Sequence, residues 1–246
     1  MKSAKTNKWF KYRYLKRAGS LSRYLPETLM LSQKSLWELI SKYGQVIAKP
    51  INGSRGRGVI QVTSLGNHEY VLHYEKTKIT LQGKDSTYQY ITSITGSDPY
   101  MVQRLISRPT IDGRPFDMRV ITQRRRNSPV WKVTAKVAKV AGEGYIVSNN
   151  TRSGGEMLLV NKALRKSSIH HLSKRKLLLK IDKVALQATR RLAAYFKGHR
   201  IYGMDMGPDQ RGHIWIIEAN LFPAMSHFLK LKDKTMYRRI TSYKSD

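Results

Sequence analysis

Asp205, Glu218 and Asn220 stand inside or beside two apolar runs, IYGMDMG (201–207) and HIWIIEAN (213–220), of a 246-residue chain whose formal charge is +30. Acids are scarce, 16 Asp and Glu against 46 Lys and Arg, so their placement among Ile, Met and Trp needs a physical reason. An unpaired buried carboxylate is strongly disfavoured or takes up a proton, so such groups have a cationic partner or a metal ion. The two runs read as strands around the turn PDQRG. Residues two apart on a strand point the same way, about 6 to 7 Å apart, so Glu218 and Asn220 can reach one ion or two adjacent ions. The same parity puts Ile214 and Ile216 on their face, and the paired strand brings up Asp205. Asp, Glu and Asn are hard oxygen donors, a set suited to Mg²⁺, which takes one or two carboxylates and completes its shell with water and phosphates. Carboxylates salt-bridged to some of the many cations are the competing reading, which leaves an Asn in parity with the Glu unexplained.

Lys49 ends an apolar strand just before KPINGSRGRG, where Gly53, Gly56 and Gly58 allow main-chain N–H groups to approach phosphate oxygens. A Walker A motif is excluded, because there the Lys follows the glycines and a helix follows the Lys. A protein kinase is excluded too, since HRD and DFG are absent. Taken alone the segment is equally a plain hairpin.

With 40% apolar residues the chain can bury a real core, organised as one folded unit with two lobes. It has no run of about 18 uncharged apolar residues that would span a bilayer, and no secretory h-region, so a cytoplasmic location is expected. The absence of Cys removes disulfides, thiolate metal sites and Cys nucleophiles. The seven His form no HExxH pattern, and His170-His171 reads as a solvated helix start. Excess Lys and Arg attract polyanions. The charge is nevertheless spread along the chain, as expected of a solvated face.

The elements that must position these residues follow from local pattern. SQKSLWELISKYG reads as a helix capped by Ser32 and ended by Gly44. QVIAKP (45–50) and VIQVTS (59–64) read as strands, followed by HEYVLHYE, a strand near 78–81, a helix near 85–96 and the strand PYMVQRLI (99–106). A second group comprises strands 117–125, 130–141 and 145–149. In the middle one Val133, Ala135 and Val137 form the core face, with Lys132, Thr134 and Lys136 turned to solvent. From His170 to Phe196 the apolar positions Leu177, Ile181, Val184, Ala188 and Leu192 mark one long helix. Met204 and Met206 read as core filler.

A strand lysine, a glycine flap, YMVQRLI, FDMRV, an NxxxGG loop and a terminal D…ExN set, in this order, resemble the ATP-grasp superfamily. Within it NKWFKYRYLKRAGSLSRYLPET, FDMRV, NNTRSGGE and GMDMGPDQRGHIWIIEAN are most similar to the YheC/YheD-type endospore coat-associated ATP-grasp proteins, over about residues 7 to 230. The resemblance implies an α+β fold in which two lobes of mainly antiparallel sheet grip ATP. It implies a basic segment over 1–28, a small nucleotide-binding lobe over 29–106, a large lobe over 107–231 and a basic tail over 232–246. By it, Lys49 contacts ATP phosphates, Gly53, Ser54, Gly56 and Gly58 belong to the flap, and Gln103, Arg104, Leu105 and Ile106 form the adenine hinge. Asp117 faces the ribose or a nearby cation, and Arg119 faces the transferring phosphate or a substrate carboxylate. Lys139 is a basic residue of the catalytic strand, Asn150 with Gly154 and Gly155 faces the substrate, and Asp205, Glu218 and Asn220 hold Mg²⁺ or Mn²⁺.

Gln103 departs from the Glu common at this hinge, so main-chain contacts carry the adenine. By the resemblance the nucleotide-binding lobe is expected to be reached within about 45 residues, without the N-terminal α/β domain usual in ATP-grasp enzymes, so substrate recognition is expected to be minimal, borrowed from a partner protein or supplied by the basic surface. The implied reaction is ATP-dependent carboxylate–amine ligation through an acyl phosphate, on unknown acid and amine substrates, with an anionic peptide or polymer as one candidate. Two other classes stay open: a polyanion- or nucleic-acid-binding protein on a degenerate nucleotide fold, and a structural component of a spore envelope. A surface ion pair of Arg119 with Asp117, and a merely solvated Lys139, are the structural alternatives for those two residues.

Overall fold

Alternating side chains in the first half of the chain sort into a helix-covered face and a cavity-facing face of one antiparallel sheet. The computed structural model describes residues 5–53, 56–145 and 154–245. Strands β1 (Thr28–Met30), β2 (Gln45–Pro50), β3 (Ile60–Gly66), β4 (Glu69–Tyr74), β5 (Thr77–Gln82) and β6 (Tyr100–Arg104) lie in the order β1-β6-β2-β3-β4-β5. Val46 and Ala48 of β2 and Val102 of β6 join Leu36, Leu39 and Ile91 in the core. Ile47, Lys49 and Gln103 therefore project from the opposite face.

Helix α1 (Lys8–Lys16) begins at Asn7, whose side chain accepts from Phe10 N, and α2 (Gly19–Ser22) follows. Helix α3 (Gln33–Tyr43) has Ser32 and Ser35 in a reciprocal capping box and ends at Gly44, whose φ of 70° is the left-handed conformation that suits Gly. Helix α4 (Lys84–Thr95) lies where a helix is expected.

The second sheet is ordered β10 (Glu156–Leu158), β9 (Lys132–Val140), β8 (Arg114–Gln123), β11 (Ile201–Pro208) and β12 (Ile214–Asn220), with the short β7 (Thr110–Ile111) paired to β8. One face packs under α1, α2, α5 (Val160–Lys166) and α6 (Lys174–Tyr195). Leu177, Ile181, Val184, Ala188 and Leu192 of α6 meet Met118, Val120, Met204 and Met206 there, all buried. Helix α6 starts later than expected: Ser173 caps it, and His170 and His171 lie in the turn before it. Ile181→Ala, at a fully buried position, is expected to lower the free energy of unfolding by about 2–5 kcal/mol, read from urea denaturation.

Both faces of β9 are buried, contrary to the expectation of one core and one solvated side. Its register with β8 jumps between Ile121 and Thr122, so Thr134 is an extra residue and the parity inverts around it. Val133 packs toward the α6 side, whereas Ala135 and Val137 face the other way. Ala138 and Val140 are core, and Lys136 reaches Asp182 of α6 at 2.7 Å. The second face is covered because residues 232–246, expected as a basic tail, contain helix α8 (Thr235–Ser242). Together with α7 (Ser226–Leu229) it lays Phe228, Leu231 and Ile240 over Ile121, Ala135 and Val137. Gln123 Nε2 donates to Ile240 O at 3.0 Å. Of the strand expected over 145–149, only Tyr145 lies within the described residues.

Candidate functional site

A cavity of about 530 Å³ opens between the two sheets. The small-lobe sheet contributes Ile47, Lys49 and Gln103, and the segment after β6 contributes Leu105 and Ile106. The large-lobe sheet contributes Asp117 and Arg119 of β8, Lys139 of β9, Asp205 of β11 and Glu218 and Asn220 of β12. Antiparallel register explains the grouping: Asp117 is opposite Lys139, Asp205 is opposite both Arg119 and Glu218, and Gly203 is opposite Asn220.

A second bulge corrects the expected parity of β12. Asp205 pairs with Glu218 but Met206 pairs with Ile216, so Ile217 is the extra residue. Ile214, Ile216 and Ala219 are core, and Glu218 and Asn220 turn to the cavity. Ile214 and Ile216 therefore do not share a face with Glu218 and Asn220. Without the added residue Glu218 would be buried among Met204, Met206 and Ile216.

Asp205 is ion-paired. Arg119 Nε and Nη2 donate to its two oxygens at 2.7 and 2.9 Å, and Lys139 Nζ lies 3.0 Å from Oδ1. Lys139 also sits 2.8 Å from Asp117 Oδ1, and Arg108 lies 3.4 Å from Asp117 Oδ2. Arg119 is therefore not paired to Asp117 on the surface, and Lys139 is not solvated; both side chains are only 9% exposed. Burial alone would push the Asp205 carboxyl up, but Arg119 and Lys139 outweigh it and hold it well below the usual carboxylate range. Burial lowers Arg119 and Lys139 in turn, but their carboxylate partners leave both raised.

The Glu218 carboxylate makes no hydrogen bond or ion pair among the described residues, although its main chain pairs with Asp205. Asn220 Nδ2 donates to Asp205 Oδ2 at 3.3 Å, leaving its own carbonyl oxygen available. Among the described residues no group of three His, Asp or Glu could hold a metal by itself. A carboxylate without a partner, an adjacent amide oxygen and a neighbouring aspartate fit a magnesium ion that arrives with phosphates, not a cage built from protein alone.

Lys49 Nζ donates to Gln103 Oε1 at 2.8 Å and to Ile217 O, the carbonyl of the bulged residue, at 3.3 Å. Gln103 Nε2 donates to Thr28 Oγ1 at 2.7 Å, so both ends of this amide are committed. Burial pushes the Lys49 ammonium down from 10.5 to about 8, with Glu218 partly opposing it. A bound polyphosphate favours the charged lysine, so nucleotide affinity should fall by roughly tenfold per pH unit above pH 8, measurable by calorimetry. Without ligand the sign reverses: the unfolded chain holds the extra proton between pH 8 and 10.5, so stability rises with pH across that window.

Of the flap residues, Gly56 lines the cavity with Arg57, whereas Gly53 and Gly58 do not. Gly58 has φ +69°, and a Cβ there would lie 2.4 Å from the Tyr100 hydroxyl, so only Gly fits this closely. Ser54 and Asn150 lie outside the described residues.

Lys8, on the cavity wall, was not expected from the sequence. Its Nζ donates to Gly53 O at 2.8 Å and its amide to Ile51 O at 3.0 Å, which ties α1 to the flap. Burial lowers the pKa of the neighbouring Lys11, with Glu218 opposing. Lys8, Lys11 and Leu15, at i, i+3 and i+7, share the face of α1 that is buried, but the spacing shows only that they share a face, not that the face is covered. Phe222, Pro223 and His227 also line the cavity, in a segment without a spacing motif.

Two antiparallel sheets enclose a cation-rich cavity, with Asp205 and Glu218 on one strand pair, which is the two-sheet architecture of the ATP-grasp class. The chain belongs to the YheC/D-like ATP-grasp family, whose profile matches residues 2–245. It is 28% identical over 228 residues to endospore coat-associated protein YheD of Bacillus subtilis (strain 168), covering 90% of this chain and 49% of that protein. It therefore spans about half the length of that relative. D-alanyl-alanine synthetase A from Vibrio cholerae O1 biovar eltor matches with a TM-score of 0.58 at 15% identity, over 98% of this chain and 65% of that one. The ATP-grasp ligase PsnB, complexed with a phosphomimetic variant of its minimal precursor, Mg and ADP, matches with a TM-score of 0.54 at 16% identity, over 97% and 58%. The fold is thus α+β of the ATP-grasp kind.

Proposed function

We propose that the chain uses ATP to join a carboxylic acid to an amine through an acyl phosphate. The carrying observation is the single sheet face on which Arg119 and Lys139 stand beside Asp205, Glu218 and Asn220, opposite Lys49 of the other lobe. Adenine is read at the hinge: Ile106 N–H lies beyond β6 and makes no hydrogen bond among the described residues, so it can donate to a ring nitrogen. Gln103 is spoken for by Lys49 and Thr28, which leaves the main chain of Arg104 and Leu105 as the other contacts. Lys49 and Lys8 reach the phosphates, and Asp117 faces the ribose or a cation.

A substrate carboxylate oxygen attacks the γ-phosphorus and the bond to ADP breaks. Arg119 and Lys139 stabilise the charge on the transferring group. Glu218, Asn220 and Asp205 would hold a magnesium ion, with manganese as a substitute, and that ion would supply charge neutralisation to phosphate oxygens. The amine then attacks the acyl carbon and phosphate leaves. The glycine segment over 53–58 keeps water from the acyl phosphate, and Asn150 is assigned to the substrate. The acid is an anionic peptide or polymer, a class that the +30 charge favours, and the structural neighbour PsnB is complexed with a precursor peptide. Action in the cytoplasm and association with the spore belong to the same proposal, the latter supported by the relative's description. Among the described residues no helix is long and apolar enough to cross a membrane.

ADP release screened against a panel of acids tests the proposal. Acid-dependent turnover is expected, and its absence with folded, Mg-ATP-loaded protein would sink it. The +30 charge also favours a second reading, polyanion binding without turnover. Under that reading binding falls steeply with salt and no acid stimulates ADP release.

A further inference from the structure

We infer that His227 takes up the proton that the attacking amine gives away, an assignment that rests on the ligase reading above. An ammonium group has no lone pair, so an amine protonated at neutral pH needs a base beside the acyl carbon. The chain turns back after β12 and sets Phe222, Pro223, Ala224, Ser226 and His227 along the cavity wall, with His227 on the short α7. Its Nδ1 lies 3.3 Å from Ala224 O, so Nδ1–H donates there and Nε2 keeps a free lone pair.

The cavity's other proton acceptors are engaged. Asp205 is held by Arg119 and Lys139, Asp117 by Lys139 and Arg108, and Glu218 is assigned to magnesium. The charged groups acting on His227 are Arg119 of β8, Lys139 of β9 and Asp205 of β11. Burial first, then the two cations, lower its pKa to about 4 against the opposing pull of the Ala224 carbonyl and then of Asp205, so the ring is a neutral base before substrate arrives. An acyl phosphate drawn in beside the same cations offsets them and raises the basicity of the ring when the amine binds.

The step balances. R–NH₃⁺ gives one proton to Nε2, the nitrogen lone pair forms the C–N bond, and the C–O bond to phosphate breaks. The second nitrogen proton leaves with the phosphate as HPO₄²⁻, and the imidazolium returns its proton to water.

The test compares hydroxylamine, which is unprotonated at neutral pH, with glycine as the amine, using a panel of free amino acids and glutamyl peptides as acids. His227→Gln should keep hydroxamate formation within about twofold while amide formation with glycine falls by about 10²-fold, the deficit shrinking as pH rises. Equal losses with both nucleophiles, or no loss with either, would overturn the assignment. Wild-type protein giving no acid-dependent ADP would remove the ligase reading and this assignment with it, which distinguishes the two failures. A readout free of substrate is ¹⁵N NMR of histidine-labelled protein, with His227→Gln giving the assignment. A neutral Nδ1–H ring at pH 7 is expected, and a cationic ring there would overturn it.

Discussion

Replacing Glu218 by Gln is expected to lower acid-dependent ADP release by about 10²–10³-fold, while unfolding free energy stays within about 0.5 kcal/mol of wild type. The two halves have one cause. The Glu218 carboxylate has no partner within the described residues and faces the cavity beside Asp205, so folding draws little on its charge. A phosphate-bound cation would draw on it fully, since an amide is a far weaker ligand for magnesium than a carboxylate. Magnesium-free nucleotide should still bind Glu218→Gln, because Lys49, Lys8 and the hinge are untouched. Steady-state ADP release and urea denaturation of one preparation decide the matter, and a variant that turns over at the wild-type rate would remove Glu218 from the metal site.

Asp205→Asn should behave differently, losing turnover and also about 3–5 kcal/mol of stability, the range for removing one partner of a buried ion pair. Arg119 donates twice to this carboxylate and Lys139 once, and both cations would be left buried beside a neutral amide. The acid limb carries the same signature. Asp205 has its folded pKa well below its ordinary 3.8, so its contribution is present above that value and is lost as pH falls through the folded pKa. The stability gap between wild type and Asp205→Asn is therefore flat near neutrality and narrows below about pH 4. Denaturation midpoints at pH 3 and pH 7 measure it, and an unchanged midpoint at pH 7 would show that the pair is not structural.

The contrast between these two acids was not readable from their spacing, which gave both the same metal-binding role. Metal and salt bridge stood as alternatives, and the site contains the donors for the first and the contacts of the second. Asp205 lies in the central strand β11, between β8 and β12, where Arg119 is directly opposite. Glu218 lies on the outer strand β12, whose other edge has no strand partner among the described residues. Sequence distance conceals this, because Arg119 and Asp205 are 86 residues apart. Residues near one another in the chain were more legible: the Ser32 cap, the Gly44 stop, the apolar stripe of α6 and the placing of Met204 and Met206 in the core.

By itself the sequence determined the order of strands, helices and glycine turns, the family to which they belong, and the supply of hard oxygen donors and cations, because these follow from local backbone preference and side-chain chemistry. Only the tertiary structure decided which way those side chains point. One extra residue at Thr134 and another at Ile217 invert strand parity, and a bulge is fixed by the neighbouring strand's register, not by the bulged segment's own residues. The same holds for Lys8. A lysine three and seven positions before Lys11 and Leu15 is charged surface on an isolated helix, and it faces the cavity only because α1 is packed between the flap and β12.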